Sequence, residues 1–358
     1  MTAAREYIED VMYGRRKSPV VEAFLRLLSL VYGLLIRLRH GLVAAGVLKR
    51  RRLSQRVISV GNVTLGGTGK TPAVMALAVL LEQHDQKPVV VSRGYGRSDE
   101  SRILVVSDGS RLLADTTAGG DEPVLIGSRL KRVPVVVGSD RFEAARFACG
   151  QFGSDTVVLD DGFQHVRLRR DLDIVLIDAV DPFGNGRLFP AGILREPLSA
   201  LRRAQVVLIT GADRTPDVEP LKQAIRRWTA AQIFTSRHMP TALVNILTGD
   251  PKPLAALRGT RVLAFAGIAR PQSFIATLGS LEADVRVERT FADHYHYGAS
   301  DLAGIYQAAA DHGIAMIVTT EKDGVRLKSL RPEGIWLLRI ELAVTEKEAW
   351  ETAVLGRR

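Results

Sequence analysis

Cysteine is nearly absent from this chain, which contains only Cys149 among its 358 residues. An internal disulfide is therefore excluded, and no cluster of cysteines and histidines has the spacing of a structural zinc site. Both absences are typical of a protein from a reducing compartment, and we expect the chain to face the cytosol. Internal repeats and low-complexity stretches are absent as well. The length then indicates an ordinary globular protein of about two domains.

A long uncharged apolar run is also missing. In the apolar N-terminal segment the longest such run, residues 27–36, has ten residues, whereas a membrane-spanning helix needs about 20. The segment ends in Lys49-Arg50-Arg51-Arg52, and no small-residue cleavage site is evident. It therefore does not have the pattern of a removed signal peptide. We expect it to lie on a membrane rather than to cross one.

The N-terminal segment has the pattern of an amphipathic helix. Apolar residues recur at three- and four-residue steps from Phe24 to Leu42, the spacing of one helical face. The opposite stripe consists of Glu22, Arg26, Ser29, Gly33, Arg37 and His40. Such a helix can lie in a membrane interface with its apolar face in the lipid. The alternative is a helix that docks its apolar face on the protein's own core.

Positive charge is concentrated in the same segment. The net charge is +10, and residues 1–56 contribute +8 of it, with twelve Lys and Arg against four acidic residues. A nucleic-acid-binding protein would be expected to carry its charge on the folded body, which here is close to neutral. Basic residues that flank an apolar helix instead favour an anionic lipid surface. We therefore expect a membrane partner and no nucleic acid.

A glycine-rich turn follows an apolar strand predicted at residues 55–61 and is typical of a phosphate-binding loop. Its glycines let backbone N–H groups surround phosphate oxygens, its lysine reaches the β and γ phosphates, and its hydroxyl residue binds Mg²⁺. The standard pattern has a glycine where this chain has Thr64. The predicted nucleotide-binding residues are Thr64, Leu65, Gly66, Gly67, Thr68, Gly69, Lys70 and Thr71.

Apolar, β-branched runs alternate with helical patterns after this loop. This alternation predicts an α/β fold, a mainly parallel sheet with helices on both faces as in P-loop NTPases. A second alternation starts at Arg261 and predicts a smaller α/β domain. Two extended segments bracket that domain and are predicted to pair as an interdomain hinge. The predicted division is 1–53 (membrane-associating helix), 54–231 (P-loop core), 232–247 with 335–344 (hinge), 248–334 (smaller domain) and 345–358 (C-terminal helix).

Carboxylates follow the predicted strands at the edge where parallel-sheet proteins bind ligands. The strand at 156–159 runs into Asp160 and Asp161, the layout of a Walker B magnesium site. One of the two should face a metal and the other the substrate or a turn. Asp121 and Glu122 begin a helix after two glycines, and either fits metal binding or acceptance of a hydroxyl proton. The alternative for that pair is helix capping.

The second half adds an imidazole and further charges. His294 and His296 lie in one loop after a predicted strand, and either can orient or relay a proton. Thr320-Glu321-Lys322-Asp323 has the composition of a guanine-recognition motif in the wrong order, which argues against a GTPase switch. Arg195 is a candidate to bind an anionic ligand, with a surface ion pair as the alternative.

Taken together, these motifs resemble the tetraacyldisaccharide 4′-kinase family of lipid A synthesis. They occur in the family's order along the chain, and that family shares the shortened glycine pattern at Thr64. The residues that carry the resemblance are 60–62, 66–72, 92–96, 120–123, 159–165, 194–197, 293–295 and 320–323.

The resemblance implies a kinase that transfers the γ-phosphoryl group of ATP, with Mg²⁺, to the 4′-hydroxyl of a tetraacyl glucosamine disaccharide 1-phosphate. It implies a peripheral protein on the cytoplasmic face of the bacterial inner membrane, and a lipid A precursor as partner. Carried over by residue, Asp121 is the general base, His294 supports it and Lys70 holds phosphate.

The remaining implied roles concern the metal and the acceptor. Thr71, Glu122 and Asp161 are the implied magnesium ligands. Asp160, Arg195 and Gln164 are implied contacts to the acceptor. Two other functions fit the motifs alone: a P-loop kinase or ligase of another substrate, and a membrane-associated nucleotide switch.

Overall fold

A computed structural model describes residue 7, residues 10–13 and residues 16–356 of the chain. Within these residues one sheet of thirteen strands runs through the whole molecule. The strands are β1 Arg56–Asn62, β2 Pro88–Ser92, β3 Leu104–Ser107, β4 Val135–Val137, β5 Thr156–Asp160, β6 Leu172–Asp178, β7 Val206–Thr210, β8 Gln232–Asn245, β9 Pro251–Lys252, β10 Arg261–Ala266, β11 Asp284–Thr290, β12 Met316–Thr320 and β13 Ile335–Val344. Their order across the sheet is β11-β10-β12-β13-β8-β7-β6-β1-β5-β2-β4-β3, and β9 pairs with β8.

Helices cover the sheet. They are α1 Pro19–Ala44, α2 Lys70–Gln83, α3 Thr116–Gly119, α4 Asp121–Arg129, α5 Arg141–Phe152, α6 Glu219–Arg226, α7 Pro271–Ser280, α8 Ala299–Asp311, α9 Glu321–Leu327 and α10 Lys347–Leu355. Short 3₁₀ helices occupy Leu198–Arg203, Ala212–Arg214, Leu254–Leu257 and Lys328–Leu330. The predicted fold class, a mainly parallel P-loop-like sheet with helices, is confirmed.

Strands β1 to β7 form the first unit of the structure. Strands β2, β5 and β7 are buried on both faces, and their sequences are therefore nearly continuous runs of valine, isoleucine and leucine. Strand β1 runs parallel between β5 and β6. Helix α2 covers one face of this sheet, and α5 packs against β2, β4 and β5 on the other. Because β1 and β5 are neighbours, the residues that follow them come together at one edge.

Two long strands, β8 and β13, connect the first unit to the second unit, which contains strands β10 to β12. Strand β8 pairs in parallel with β7 and antiparallel with β13. The register of the β8–β13 pair shifts between Arg339 and Ile340. The two segments predicted to pair therefore do so, within one continuous sheet rather than between two sheets. The division into domains and the hinge role of these strands stay predictions.

Helix α1 packs on the first unit with its small and polar stripe, and its apolar face points outward. Ser29 Oγ donates a hydrogen bond of 2.9 Å to the Leu188 carbonyl, and a Cβ at Gly33 would lie 2.9 Å from Leu188 Cδ1. The alternative that the apolar face docks on the core is therefore wrong. The large apolar side chains of this helix that are more than half exposed are Val20, Phe24, Leu27, Leu30, Val31, Leu34, Leu35 and Leu38.

By length and composition alone, α1 is also apolar enough to cross a membrane. Core helices of soluble proteins and signal sequences meet the same criterion. The contacts of the polar stripe with the folded body therefore say more about how α1 can meet a membrane than its composition does. A helix that is fixed along one face to a folded body, as α1 is by Ser29 and Tyr32, can present only its other face to lipid.

Candidate active site

A cavity of about 1210 Å³ lies at the carboxyl ends of the central strands. The glycine-rich loop and the start of α2 line one side of it, and the ends of β5 and the start of α4 line another. The second unit contributes α7, the loop around His294 and the start of α9. Tyr32 and Arg39 of α1 also line the cavity. The site is thus assembled from both units and from the N-terminal helix.

The glycine-rich loop is held in shape by buried polar contacts. Asn62 Nδ2 donates to Thr68 Oγ1 at 2.9 Å, and Thr210 Oγ1 donates to the Thr68 carbonyl at 3.0 Å. Gly66 and Gly69 have φ angles of +95° and +80°, which side chains other than glycine rarely adopt. The loop leads directly into α2, whose first N–H groups lack helical partners and are suited to bind phosphate.

Thr64 has a different position from the rest of the loop. It is buried and forms an isolated antiparallel bridge with Leu194. The cavity is lined by the loop residues from Leu65 onward, and Thr64 is not among the described residues that line it. Thr64 therefore joins the start of the loop to Leu194, and its predicted contact with the nucleotide stays a prediction.

Lys70 lies at the start of α2 and connects the loop to the carboxylates. Its Nζ is 3.4 Å from Asn62 Oδ1 and 3.9 Å from Asp161 Oδ1. Asp161 also receives two hydrogen bonds from Arg195 Nη1, at 2.8 and 2.7 Å. Burial raises the pKa of Asp161, but the charges of Lys70 and Arg195 outweigh burial and hold that pKa below its ordinary value. The carboxylate is therefore ionised.

Asp160 has the opposite environment. Its Oδ2 accepts a hydrogen bond of 2.8 Å from Ser92 Oγ, whereas its Oδ1 is buried and has no partner among the described residues. Burial, together with the nearby charges of Glu122 and Asp161, raises the pKa of Asp160 to about 7. A buried carboxylate oxygen without a donor is costly unless a cation or a ligand satisfies it.

The backbone at the two aspartates is constrained. Asp161 has a φ of +54°, a conformation that is uncommon outside glycine and that clusters at functional sites. A Cβ at the next residue, Gly162, would lie 2.6 Å from Leu159 Cβ and 2.8 Å from Ser59 Oγ. The glycine is therefore needed for the close turn that points Asp160 and Asp161 in different directions.

Asp121 and Glu122 begin α4, and both contact the second unit. Asp121 Oδ2 is 3.1 Å from His294 Nδ1 and accepts a hydrogen bond of 2.6 Å from Arg326 Nε. Lys322 Nζ donates to Glu122 Oε1 at 3.1 Å. Burial raises the pKa of Asp121, but the hydrogen bond from His294 and the charge of Arg326 lower it below its ordinary value. An ionised carboxylate beside an imidazole can accept a proton.

The imidazole at this site is that of His294. Its backbone has a φ of +60°, and its ring is 3.1 Å from Asp121. His296 is exposed, and it is not among the described residues that line the cavity. The geometry thus favours His294 over His296 as the partner of Asp121.

Arg195 and Gln164 form the side of the cavity next to Asp161. Gln164 Nε2 donates to the Asn62 carbonyl at 2.8 Å, and Arg195 Nη1 lies 3.4 Å from Gln164 Oε1. Tyr32 OH donates to the Arg195 carbonyl at 3.0 Å. Arg195 therefore lies in the cavity wall as part of a partly exposed ion pair with Asp161, and helix α1 contacts the same segment as the site.

Several residues in the cavity wall and directly next to it were not assigned a role from the sequence. Lys322 and Arg326 are four residues apart on α9, and that helical spacing was the signal that could have placed Arg326 beside the Glu321-Lys322-Asp323 motif. Further lining side chains that were given no role from the sequence include Tyr32, Arg39, Arg141 and His238. Their distance in sequence from the motifs left no comparable signal.

Comparisons with known proteins identify the family of this chain. The family model described as Tetraacyldisaccharide-1-P 4′-kinase matches residues 21–357. The tetraacyldisaccharide 4′-kinase of Syntrophus aciditrophicus (strain SB) is 41% identical over 362 residues, which cover 98% of this chain and 96% of that protein. The tetraacyldisaccharide 4′-kinase of Pelobacter propionicus is 42% identical over 346 residues, which cover 95% and 94%.

A solved structure is similar over nearly the whole fold. The crystal structure of the "apo" form of LpxK from Aquifex aeolicus in complex with ATP superposes with a TM-score of 0.78 at 32% sequence identity. The match covers 94% of this chain and 98% of that chain. The shared architecture therefore includes both units.

Proposed function

Since the chain belongs to the tetraacyldisaccharide-1-P 4′-kinase family, we propose how its residues carry out that activity. The chain is an ATP-dependent kinase of the lipid A pathway. It transfers the γ-phosphoryl group of ATP to the 4′-hydroxyl of a tetraacyl glucosamine disaccharide 1-phosphate. The observation that carries the proposed mechanism is the contact of 3.1 Å between Asp121 and His294, which joins the two units beside the glycine-rich loop.

The glycine-rich loop binds the phosphates of ATP in this proposal. Backbone N–H groups of residues 65–71 and the start of α2 bind phosphate oxygens, and Lys70 neutralises charge on the β and γ phosphates. The 3.4 Å contact of Lys70 with Asn62 supports this role, because it holds the ammonium group at the mouth of the loop. Thr64 is proposed not to contact phosphate, since it pairs with Leu194.

Asp121 acts as the general base. The acceptor hydroxyl gives its proton to the Asp121 carboxylate while its oxygen forms a bond to the γ phosphorus, and the bond from that phosphorus to the β–γ bridging oxygen breaks to release ADP. His294 orients the carboxylate and stabilises the proton that it receives. Because the two groups come from different units, the arrangement would be complete only when the units are closed around substrate.

The donor set beside the loop fits Mg²⁺. This ion prefers oxygen ligands and usually combines one or two carboxylates with substrate phosphates and water. The unpartnered Oδ1 of Asp160 makes that residue the leading carboxylate ligand, with Thr71, Asp161 and Glu122 as the further candidates. When bound, Mg²⁺ would neutralise charge on the phosphates. No three His, Cys, Asp or Glu side chains of the described residues could hold a metal by themselves, so phosphate oxygens would complete the site.

Asp161 and Glu122 are then less available to bind Mg²⁺ than their positions in the sequence motifs suggested. Asp161 is bound by Arg195 and Glu122 by Lys322, so each would have to exchange a cation of the protein for the metal. Arg195 and Gln164 lie beside Asp161 and are proposed to contact the acceptor. A guanidinium group suits a phosphate or a sugar oxygen there.

Helix α1 brings the enzyme to its acceptor. We propose that it binds the cytoplasmic face of the inner membrane peripherally, with its apolar face in the lipid and its basic flank on anionic headgroups. Support comes from the outward orientation of that face, in which Leu30 and Leu34 are 72% and 64% exposed. ATP on the cytosolic side and an acylated acceptor in the membrane would then reach one cavity.

A test of this function is the coupling of ADP release to the acceptor. We expect ADP release to require the acylated disaccharide 1-phosphate and to match phosphorylated lipid one for one. Lys70→Met is expected to lower both rates by about 100-fold or more, because an oriented charge on the phosphates is lost. Lys87→Met, at an exposed lysine away from the cavity, is the matched control and keeps full activity. Slow ADP release that ignores the acceptor would instead favour a nucleotide switch.

A further inference from the structure

Helix α9 lies next to the Asp121–His294 pair and contacts both of its members. Arg326 Nε donates to Asp121 at 2.6 Å, and Lys322 Nζ is 3.2 Å from His294 Nε2. Lys322 also reaches Glu122 at 3.1 Å. A single short helix of the second unit therefore contacts both members of the pair and the neighbouring carboxylate.

Arg326 is itself rigidly held. Its side chain is only 2% exposed, and its Nη1 donates to the Gly267 carbonyl at 2.9 Å and to Asp323 Oδ1 at 3.2 Å. The fully buried Asp323 accepts further hydrogen bonds from Tyr297 OH at 2.9 Å and from Thr320 Oγ1 at 2.7 Å. A buried charge that is bonded on each side has little freedom to move. Its direction toward Asp121 is thereby fixed.

The hydrogen bonds to Asp121 all fall on one oxygen. His294 Nδ1 and Arg326 Nε both contact Oδ2, at 3.1 and 2.6 Å. No described residue donates a hydrogen bond to Oδ1 of the same carboxylate. Two donors on Oδ2 leave Oδ1 as the oxygen with free lone pairs, and a base must present such an oxygen to the incoming hydroxyl.

The contacts of His294 also select one form of its ring. The ammonium group of Lys322 can only donate, so Nε2 must carry a lone pair. Nδ1 then carries the proton and donates it to Asp121 Oδ2 at 3.1 Å, a shorter contact than the 3.4 Å between Nδ1 and the donor group Arg326 Nη2. A proton on Nε2 would set an N–H against the donor-only ammonium group of Lys322 at 3.2 Å.

We propose that Lys322 and Arg326 are positioning residues for phosphoryl transfer. Lys322 fixes His294 as the neutral Nδ1–H tautomer, and Arg326 with His294 occupies Oδ2 of Asp121, so that Oδ1 is the atom that takes the proton. The catalytic part of this inference rests on the proposed role of Asp121 as base. The tautomer follows from the contacts alone and can be measured without any turnover.

The test is the ¹⁵N spectrum of the histidine rings in the full chain in detergent. Loss of one set of signals in His294→Gln identifies those of His294. We expect the Nδ1–H neutral form in the unsubstituted chain, its loss in Lys322→Met, and its retention in Lys322→Arg, which keeps a cationic donor. Lys328→Met, at an exposed lysine of the following 3₁₀ helix, is the control and leaves the ring unchanged. An Nε2–H ring in the unsubstituted chain, or no change in Lys322→Met, overturns the proposal.

Kinetics separate this inference from the proposed function. Lys322→Met is expected to lower kcat by about 10- to 100-fold, the usual effect of losing an outer partner of a functional histidine, with an unchanged Kd for ATP. If the spectrum changes as expected while kcat stays normal, the tautomer assignment holds and its catalytic part fails. If Asp121 is not the base, the spectrum is unaffected, because it reports the ring and not the reaction.

Discussion

Replacing Asp121 with asparagine is expected to lower kcat by about 100- to 10,000-fold, the contribution of a positioned general base. An amide has nearly the shape of the carboxylate but cannot take a proton from the acceptor hydroxyl. The ATP-binding loop follows strand β1, whereas Asp121 begins helix α4. Hydrogen bonds from Asn62 and Thr210 to Thr68 hold the loop in shape. The Kd for ATP should therefore stay within about 3-fold of its original value. A change of that size corresponds to less than the roughly 1.4 kcal/mol that a tenfold change in Kd requires.

The measurement is single-turnover transfer at saturating ATP, with nucleotide affinity determined separately. Asp115→Asn is the matched control, because Asp115 caps the short helix α3 just before the site and its side chain contacts only the Ala118 N–H. That variant should keep its kcat. Near-normal turnover in Asp121→Asn would rule out Asp121 as the base. A loss of ATP binding in the same variant would assign the residue to the nucleotide instead.

Replacing Leu27, Leu34 and Leu38 together with glutamine is expected to weaken binding to anionic lipid vesicles by about 100-fold. The three side chains are 59%, 64% and 55% exposed on the outward face of α1, and each is expected to lose about 1 kcal/mol of transfer into the interface. The inward stripe, with Ser29 and Tyr32, is untouched, so the fold should be kept. Sedimentation with vesicles of defined anionic content measures the change.

The control replaces three exposed apolar side chains outside α1. Leu112, Leu113 and Val180 are 40%, 54% and 57% exposed and lie outside α1; their replacement with glutamine should leave vesicle binding intact. Equal losses in both triple variants would mean that general surface apolarity, not α1, drives binding. Extraction of native membranes with alkaline carbonate adds a second arm, since a peripheral protein is released and a membrane-spanning helix is retained.

Local patterns in the sequence predicted much of the site. The loop from Gly66 to Thr71 and the acidic pair at Asp160 are each encoded in a few adjacent residues, because a phosphate loop and a strand end have strict local requirements. The strand predicted at residues 156–159 is observed as Thr156–Asp160, one residue longer. Continuous apolar runs allowed this, since strands buried on both faces are mostly apolar at consecutive positions rather than at alternate ones.

Contacts between distant segments could not be predicted in the same way. Arg326 lies 205 residues from Asp121, and Lys322 lies 200 residues from Glu122. Nothing in the local pattern around Arg326 indicates that its charge is buried. The side of α1 that faces the protein was also not evident, because periodicity identifies two faces of a helix without saying what each one contacts. Both features depend on the tertiary fold.

The most direct test of the proposed reaction is the fate of the γ phosphate. ATP labelled there with ³²P is incubated in detergent with a tetraacyl glucosamine disaccharide 1-phosphate, and the lipid is then separated from nucleotide and inorganic phosphate. We predict a labelled bisphosphorylated lipid whose new phosphate is on the 4′-oxygen, formed by the unsubstituted chain and absent with Asp121→Asn. Label recovered only as inorganic phosphate, or attached at another position, would contradict the account.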